Sequence, residues 1–276
     1  MKQLKDRVAV ITGGAGGIGR AVALELARAG MHLVIADIDE KRIEGVAQEL
    51  RALGVRAHGV VTDVRSQSAF EHLLAETLRL EGSCHVMLNN AGVFHANTIL
   101  GSSSAQWQRV VDTNLWGVIH GSRVFGAHFV AQRMGHIVNT ASAAGLFPVV
   151  GMSSYSTTKY AIVGFSQQLR WELAADGVGV TVVCPGVVKT GIGSAAGVGL
   201  EHIDVDALLA RSPGPDALAR KVRRAIERDQ ALVRFAPDSY VFSVLGLLPS
   251  WMLEPLGRYM ARTASAFLRG ELPPPK

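Results

Sequence analysis

Short, uniformly apolar runs alternate along this chain with longer mixed stretches of helical length. Over the first 190 residues, Val8–Thr12, Leu33–Asp37, Ala57–Asp63, Val86–Asn89, His136–Ala141 and Val180–Cys184 read as strands. Ile18–Ala29, Glu40–Leu53, Ser66–Leu80, Ala105–Gln132 and Ser153–Ala175 read as the helices between them. Strands without a polar face must be buried on both sides, as in a parallel sheet between two helix layers. The pattern predicts an α/β fold: a Rossmann-type doubly wound parallel sheet, helices on both faces, right-handed crossovers. A seventh strand is expected at Ala231–Phe235, after a helix near Asp216–Glu227. No linker or low-complexity stretch interrupts the alternation, so residues 1–276 are expected to form one domain, with Pro273–Pro275 a frayed end.

Composition narrows the function classes. With 48% apolar residues and 30 glycines, the chain has ample material for a soluble core and for close backbone approach. The formal charge is +5, and its densest cluster, Arg220, Lys221, Arg223, Arg224 and Arg228, is interleaved with apolar positions. That is the pattern of a solvated helix face and argues against a nucleic-acid partner. Cys84 and Cys184 lie beside apolar runs and read as inert buried thiols, neither a disulfide framework nor a zinc site. The nine histidines are scattered without ligand spacing, so no metal is expected. The glycine motif starting at Thr12 leaves no room for a secretory leader, and a cytoplasmic location is expected.

That motif, Thr12-Gly13-Gly14-Ala15-Gly16-Gly17-Ile18-Gly19, follows the first strand and opens a helix. Glycines there allow a tight turn and bring backbone N–H groups against a pyrophosphate, which the helix N-terminus also favours. Asp37 ends the second strand about twenty residues later, where an acid can accept from the adenosine ribose and repel the extra phosphate of NADP. A helix N-cap is the alternative reading of Asp37. Asp63-Val64 and Asn89-Asn90-Ala91-Gly92 put polar or small residues at the next two strand ends, the edge where open α/β sheets bind ligands. Each alone could be a turn.

Tyr155 and Lys159 are four apart in a helical stretch and project from one face. A nearby ammonium favours the phenolate of a tyrosine, whose ordinary pKa is near 10. Ser142 lies 13 residues before Tyr155, just past the fifth strand, where its hydroxyl can donate to a substrate oxygen. Asn114, in the long helix after strand four, can hold a water near Lys159. Singly, Ser142 reads as a helix cap and Asn114 as a helix-surface residue.

With Pro185-Gly186 added, these motifs match in order and spacing the short-chain dehydrogenase/reductases of about 250 residues, a family this sequence resembles over about residues 5–195. The resemblance implies that Tyr155 is the general acid/base, that Ser142 orients the substrate oxygen, and that Lys159 lowers the tyrosine pKa and binds ribose. It implies that Asn114 supports a proton relay and that Pro185, Gly186, Val188 and Thr190 flank the nicotinamide. Gly13, Gly17, Ile18, Gly19, Asp37, Asp63, Val64, Asn90, Ala91 and Gly92 would complete the cofactor site, together with Tyr155 and Lys159. NAD is favoured through Asp37, and NADP is left open. The long helices 105–132 and 153–175 resemble the pair that forms the interface of homodimers and homotetramers in the family.

The substrate is expected to be an apolar alcohol or ketone, because the loop at about 190–212, placed by the same resemblance, is rich in small apolar residues. Phe94, Leu146, Phe147, Val149 and Met152 would line the pocket or belong to the core. The apolar extension at about 236–268 has its longest run before Pro249, too short to span a bilayer. It is expected to pack over the pocket or at a subunit interface, with peripheral membrane contact beside the basic helix as the less favoured alternative. Two other functions stand beside the NAD-dependent enzyme: an NADPH-dependent carbonyl reductase, and a non-catalytic NAD-binding redox sensor.

Overall fold

The computed structural model describes residues 1–189 and 212–268, with side chains up to residue 262. Seven parallel strands run in the order β3-β2-β1-β4-β5-β6-β7. They are β1 Val8–Thr12, β2 His32–Asp37, β3 Ala57–Val61, β4 Val86–Asn89, β5 Gly135–Thr140, β6 Val178–Pro185 and β7 Leu232–Phe235. The helices are α1 Gly17–Arg28, α2 Glu40–Arg51, α3 Gln67–Glu81, α4 Ser104–Val110, α5 Gly117–Ala131, α6 Ser153–Glu172, α7 Pro215–Arg228, α8 Pro237–Leu245 and α9 Ser250–Leu268.

Residue parity along the strands divides the core in two. Ala9, Ile11, Leu33, Ile35, Val86, Leu88, Val183 and Val233 face α1, α2 and α7. Their neighbours Val10, Val34, Val60, Met87, Ile137 and Val180 face Phe70 and Leu73 of α3 and Phe125 and Phe129 of α5. This is the double burial that the apolar runs required. The strand order reverses between β2-β1 and β4-β5, which opens a crevice at the carboxyl ends of β1 and β4.

Three elements show detail beyond expectation. Strand β3 stops at Val61 because the Asp63 carboxylate accepts from the backbone of Arg65 (3.0 Å) and turns the chain into α3, which Ser66 caps. The stretch expected as one helix from 105 to 132 is helical from Ser104 to Ala131 but changes its hydrogen-bond pattern midway. A Ser103/Gln106 capping box starts α4, and a π-helical segment, Val111–Trp116, separates it from α5. The C-terminal apolar segment forms two helices, α8 and α9, and among the described residues no helix is long and apolar enough to cross a membrane.

Candidate active site

The glycine turn is built by backbone approach. Gly13 has a φ of 61°, open to glycine at little cost, and a side chain on Gly19 would collide with the Gly13 carbonyl and the Asn90 amide. Thr12 Oγ1 accepts from the N–H groups of Asn90 (3.1 Å) and Ala91 (3.3 Å), and Asn90 Nδ2 donates to the carbonyls of Thr12 and Gly13, both at 3.2 Å. Asn90 is therefore a brace between two strand ends. Helix α1 starts at Gly17 with no side-chain cap and no acid in its first turn. An uncapped, acid-free helix N-terminus behind a turn that no side chain may fill suits a pyrophosphate, so these residues fit a dinucleotide.

Asp37 takes the Ala15 N–H on Oδ2 (3.3 Å) and the Ile38 N–H on Oδ1 (2.8 Å), holding its carboxylate beside the glycine turn. The N-cap alternative belongs to Asp39 instead, which accepts from Arg42 N at 3.1 Å. Asp63 is gripped by the Arg65 guanidinium, which holds its carboxyl below the usual range. Val64 is buried against Gly117, and Ile18 packs on the first core layer.

The chemical residues converge one strand further on. Ser142 follows β5 and caps a 3-10 turn, Ala143–Gly145, accepting from Ala144 N at 3.2 Å. Its side chain also faces the Tyr155 phenol. Lys159, one turn along α6, is 4% exposed; its Nζ donates to the Thr140 carbonyl (2.9 Å) and lies 5.5 Å from the Tyr155 ring centre. Burial pulls Lys159 down to about 8. Burial likewise raises the Tyr155 phenol, and the Ser142 hydroxyl opposes that rise. Ser142 and the Lys159 ammonium thus both stand against the phenol. The edge of Phe94 packs on Tyr155 at 5.0 Å between ring centres.

Asn114 is fully buried in the π-helical segment. Its Oδ1 accepts from Val93 N (2.7 Å) and its Nδ2 donates to Val93 O (2.9 Å), so the amide is spent on the backbone after Gly92. A side chain on Gly92 would come within 3.2 Å of Asn114 Oδ1 and 3.7 Å of Lys159 Nζ. Nδ2 also reaches Thr158 Oγ1 (3.4 Å), which donates to the Tyr155 carbonyl at 2.8 Å.

Ala91 and Gly92 continue from the glycine turn towards Lys159, and Pro185, Gly186 and Val188 close the far side at the end of β6. Thr190 and the loop at about 190–212, up to residue 211, lie outside the described residues. Sequence reasoning missed a buried amide network: Asn89 Nδ2 donates to Asn139 Oδ1 (2.8 Å) and Ser122 Oγ (3.2 Å), and Asn139 Nδ2 to Ser166 Oγ (3.0 Å). It ties β4, β5, α5 and α6 beneath the site, and Asn139 inside an apolar strand was the available signal. Cys184, read from the sequence as a buried thiol, is buried there, and burial pushes it up to about 12.

Against known proteins, residues 7–198 match the model of the short chain dehydrogenase family. The probable oxidoreductase EphD of Mycobacterium tuberculosis is 37% identical over 257 residues, 88% of this chain; the chain spans only 43% of that relative's length. The putative oxidoreductase SadH of the same organism is 35% identical over 200 residues, 72% of each chain. A crystal structure of a short chain dehydrogenase/reductase from Burkholderia phymatum in complex with NAD superposes with a TM-score of 0.83 at 32% identity, covering 93% of this chain and 97% of that one.

Proposed function

Since the chain belongs to the short-chain dehydrogenase family of oxidoreductases, we propose that it interconverts an apolar secondary alcohol and its ketone, with NAD favoured as hydride acceptor. The observation that carries this reading is the convergence of Ser142 and Lys159 on Tyr155, with the Lys159 ammonium buried 5.5 Å from the phenol ring. Bound nicotinamide supplies the hydride chemistry. In oxidation, Tyr155 Oη takes the alcohol proton as the hydride leaves the carbinol carbon, and reduction reverses both steps. Ser142 Oγ holds the substrate oxygen in both directions. Lys159 stands ready to stabilise the phenolate and to bind ribose, and Asn114 holds the backbone at Gly92–Val93 in place. Phe94 and the buried Phe147 supply the apolar wall.

Asp37 beside the glycine turn supports the preference for NAD. One observation favours NADPH-dependent reduction as a second reading: the Arg42 guanidinium lies directly over Gly16, where it can meet an added phosphate. Trp116, Tyr160 and Trp171 stand exposed on the π-helical segment and α6, which supports a homodimer or homotetramer through that face. Absorbance at 340 nm with NAD or NADP and a panel of secondary alcohols tests the reading. Tyr155→Phe is expected to lower turnover on the order of a thousandfold and to leave cofactor binding intact. Turnover retained in that variant refutes the assignment of Tyr155.

A further inference from the structure

Helix α8 lies beyond the family match and bridges the two sides of the site. Strand β7 ends at Phe235, and Ala236, with a φ of 72°, turns the chain sharply before Pro237 starts the helix. At its first turn, Asp238 Oδ2 accepts the Val187 N–H (3.0 Å), and the carboxylate lies against Gly186, where any side chain would collide with it. The fully buried Ser239 donates to the Cys184 carbonyl at 2.6 Å. At its far end, Phe242 packs on Phe147 with ring centres 5.4 Å apart, and Gly246 presses so close to the Leu146 carbonyl that no side chain fits. The N–H groups of Leu146 (2.9 Å) and Phe147 (3.3 Å) bond the Ala143 carbonyl, in the turn that Ser142 caps.

We propose that α8 is a positioning element: Asp238 and Ser239 fix the Cys184–Val187 strand end that borders the nicotinamide, while Phe242 and Gly246 fix the turn that presents Ser142. The inference rests on the functional reading above, since it concerns the distance between hydride acceptor and substrate oxygen. One nine-residue helix sets both ends of that distance, using residues that do not touch the reacting atoms.

Calorimetric titration of the full chain with NAD⁺ tests the first end. Asp238→Ala is expected to weaken binding about fivefold, the loss of one hydrogen bond to a charged acceptor, with thermal unfolding unchanged. Asp238→Asn, whose amide oxygen still accepts from Val187, should stay within about twofold. Hydrogen exchange tests the second end. Phe242→Ala should speed exchange at residues 145–147 about tenfold while residues 12–19 keep the wild-type rate. Wild-type affinity in Asp238→Ala, equal losses in the two Asp238 variants, or unchanged exchange at 145–147 would each overturn the proposal. Wild-type chain that binds neither NAD⁺ nor NADP⁺ would instead sink the functional reading, and the exchange measurement would still judge α8.

Discussion

The nucleotide end and the substrate end of the same sheet edge are held by different means. Around the glycine turn, Ile11, Leu26, Ile35 and Leu88 are at most 2% exposed, and Thr12, Gly13, Asn90 and Ala91 bond one another directly. At the substrate end, the turn after Ser142 rests on α8 from the far C-terminus, and the outer side of α8 and α9 leaves Val244 61%, Leu247 83% and Trp251 74% exposed. Burial makes the first region costly to alter. Reliance on a few contacts lets the second change without disturbing the core.

The sharpest way to break this comparison is Gly19→Ala. The new methyl group collides with the Gly13 carbonyl and the Asn90 amide, and relief requires opening the turn. Overpacking of this kind costs about 3 kcal/mol, so NAD⁺ affinity should fall roughly a hundredfold. Calorimetry that finds wild-type affinity would show the nucleotide end to be as adaptable as the substrate end.

Lys159→Met separates stability from chemistry where the two ends meet. Burial lowers the folded-state pKa of Lys159 from 10.5 to about 8. Below pH 8 both folded and unfolded chains carry the proton, and the folded state bears the full cost of the buried ammonium, about 3 kcal/mol. Between pH 8 and 10.5 the unfolded chain holds more protons, so wild-type stability rises through that window. The variant should therefore be more stable than wild type by about 2 kcal/mol at pH 7 in urea unfolding, should lose that advantage by about pH 10, and should be inactive. A variant less stable at pH 7 would mean that the Thr140 hydrogen bond outweighs the burial of charge.

What the sequence made legible follows the same division. The strands, their burial on both faces and the Tyr155–Lys159 pair rest on local spacing: apolar runs read directly as buried strands, and residues four apart on one helix face read as neighbours. The π-helical turn at Val111–Trp116 was not legible, because its residues fit an ordinary helix equally well. Asn114 is tied there to the Val93 backbone, a contact between distant segments that no periodicity records. The partner of Asn139 was hidden for the same reason. The apolar character of 240–260 was plain from its residues, but its docking on Phe147 and Gly186 was not.

Acid pH probes the opposite edge of the sheet. His136, paired with Thr181 at 2.8 Å, and His85, which accepts from Val8 N at 3.1 Å, are both lowered to about 4, burial being the largest cause. Each is neutral in the folded chain but protonates below about 6.5 once unfolded. Their contribution is fully present above pH 6.5 and is lost as pH falls towards 4, at about 1.4 kcal/mol per pH unit for each histidine. Urea unfolding from pH 7.5 to 4.5 should show that slope, and His136→Gln should remove about half of it. An unchanged slope in the variant would shift the acid sensitivity to other groups.

The smallest expected effect is the most informative about the substrate end. Leu247 is 83% exposed, just beyond α8, and no described residue covers it. Leu247→Ser should therefore change unfolding free energy by no more than about 0.5 kcal/mol, the ordinary range for a surface position. Leu26→Ser, fully buried in α1, should cost several kcal/mol by comparison. If Leu247→Ser instead costs more than about 1.5 kcal/mol and the loss grows with dilution, the exposed side of α8 and α9 is covered by a second copy in solution. In that case the weakly held end would owe its order to assembly, and the contrast with the nucleotide end would be one between intrachain and interchain burial.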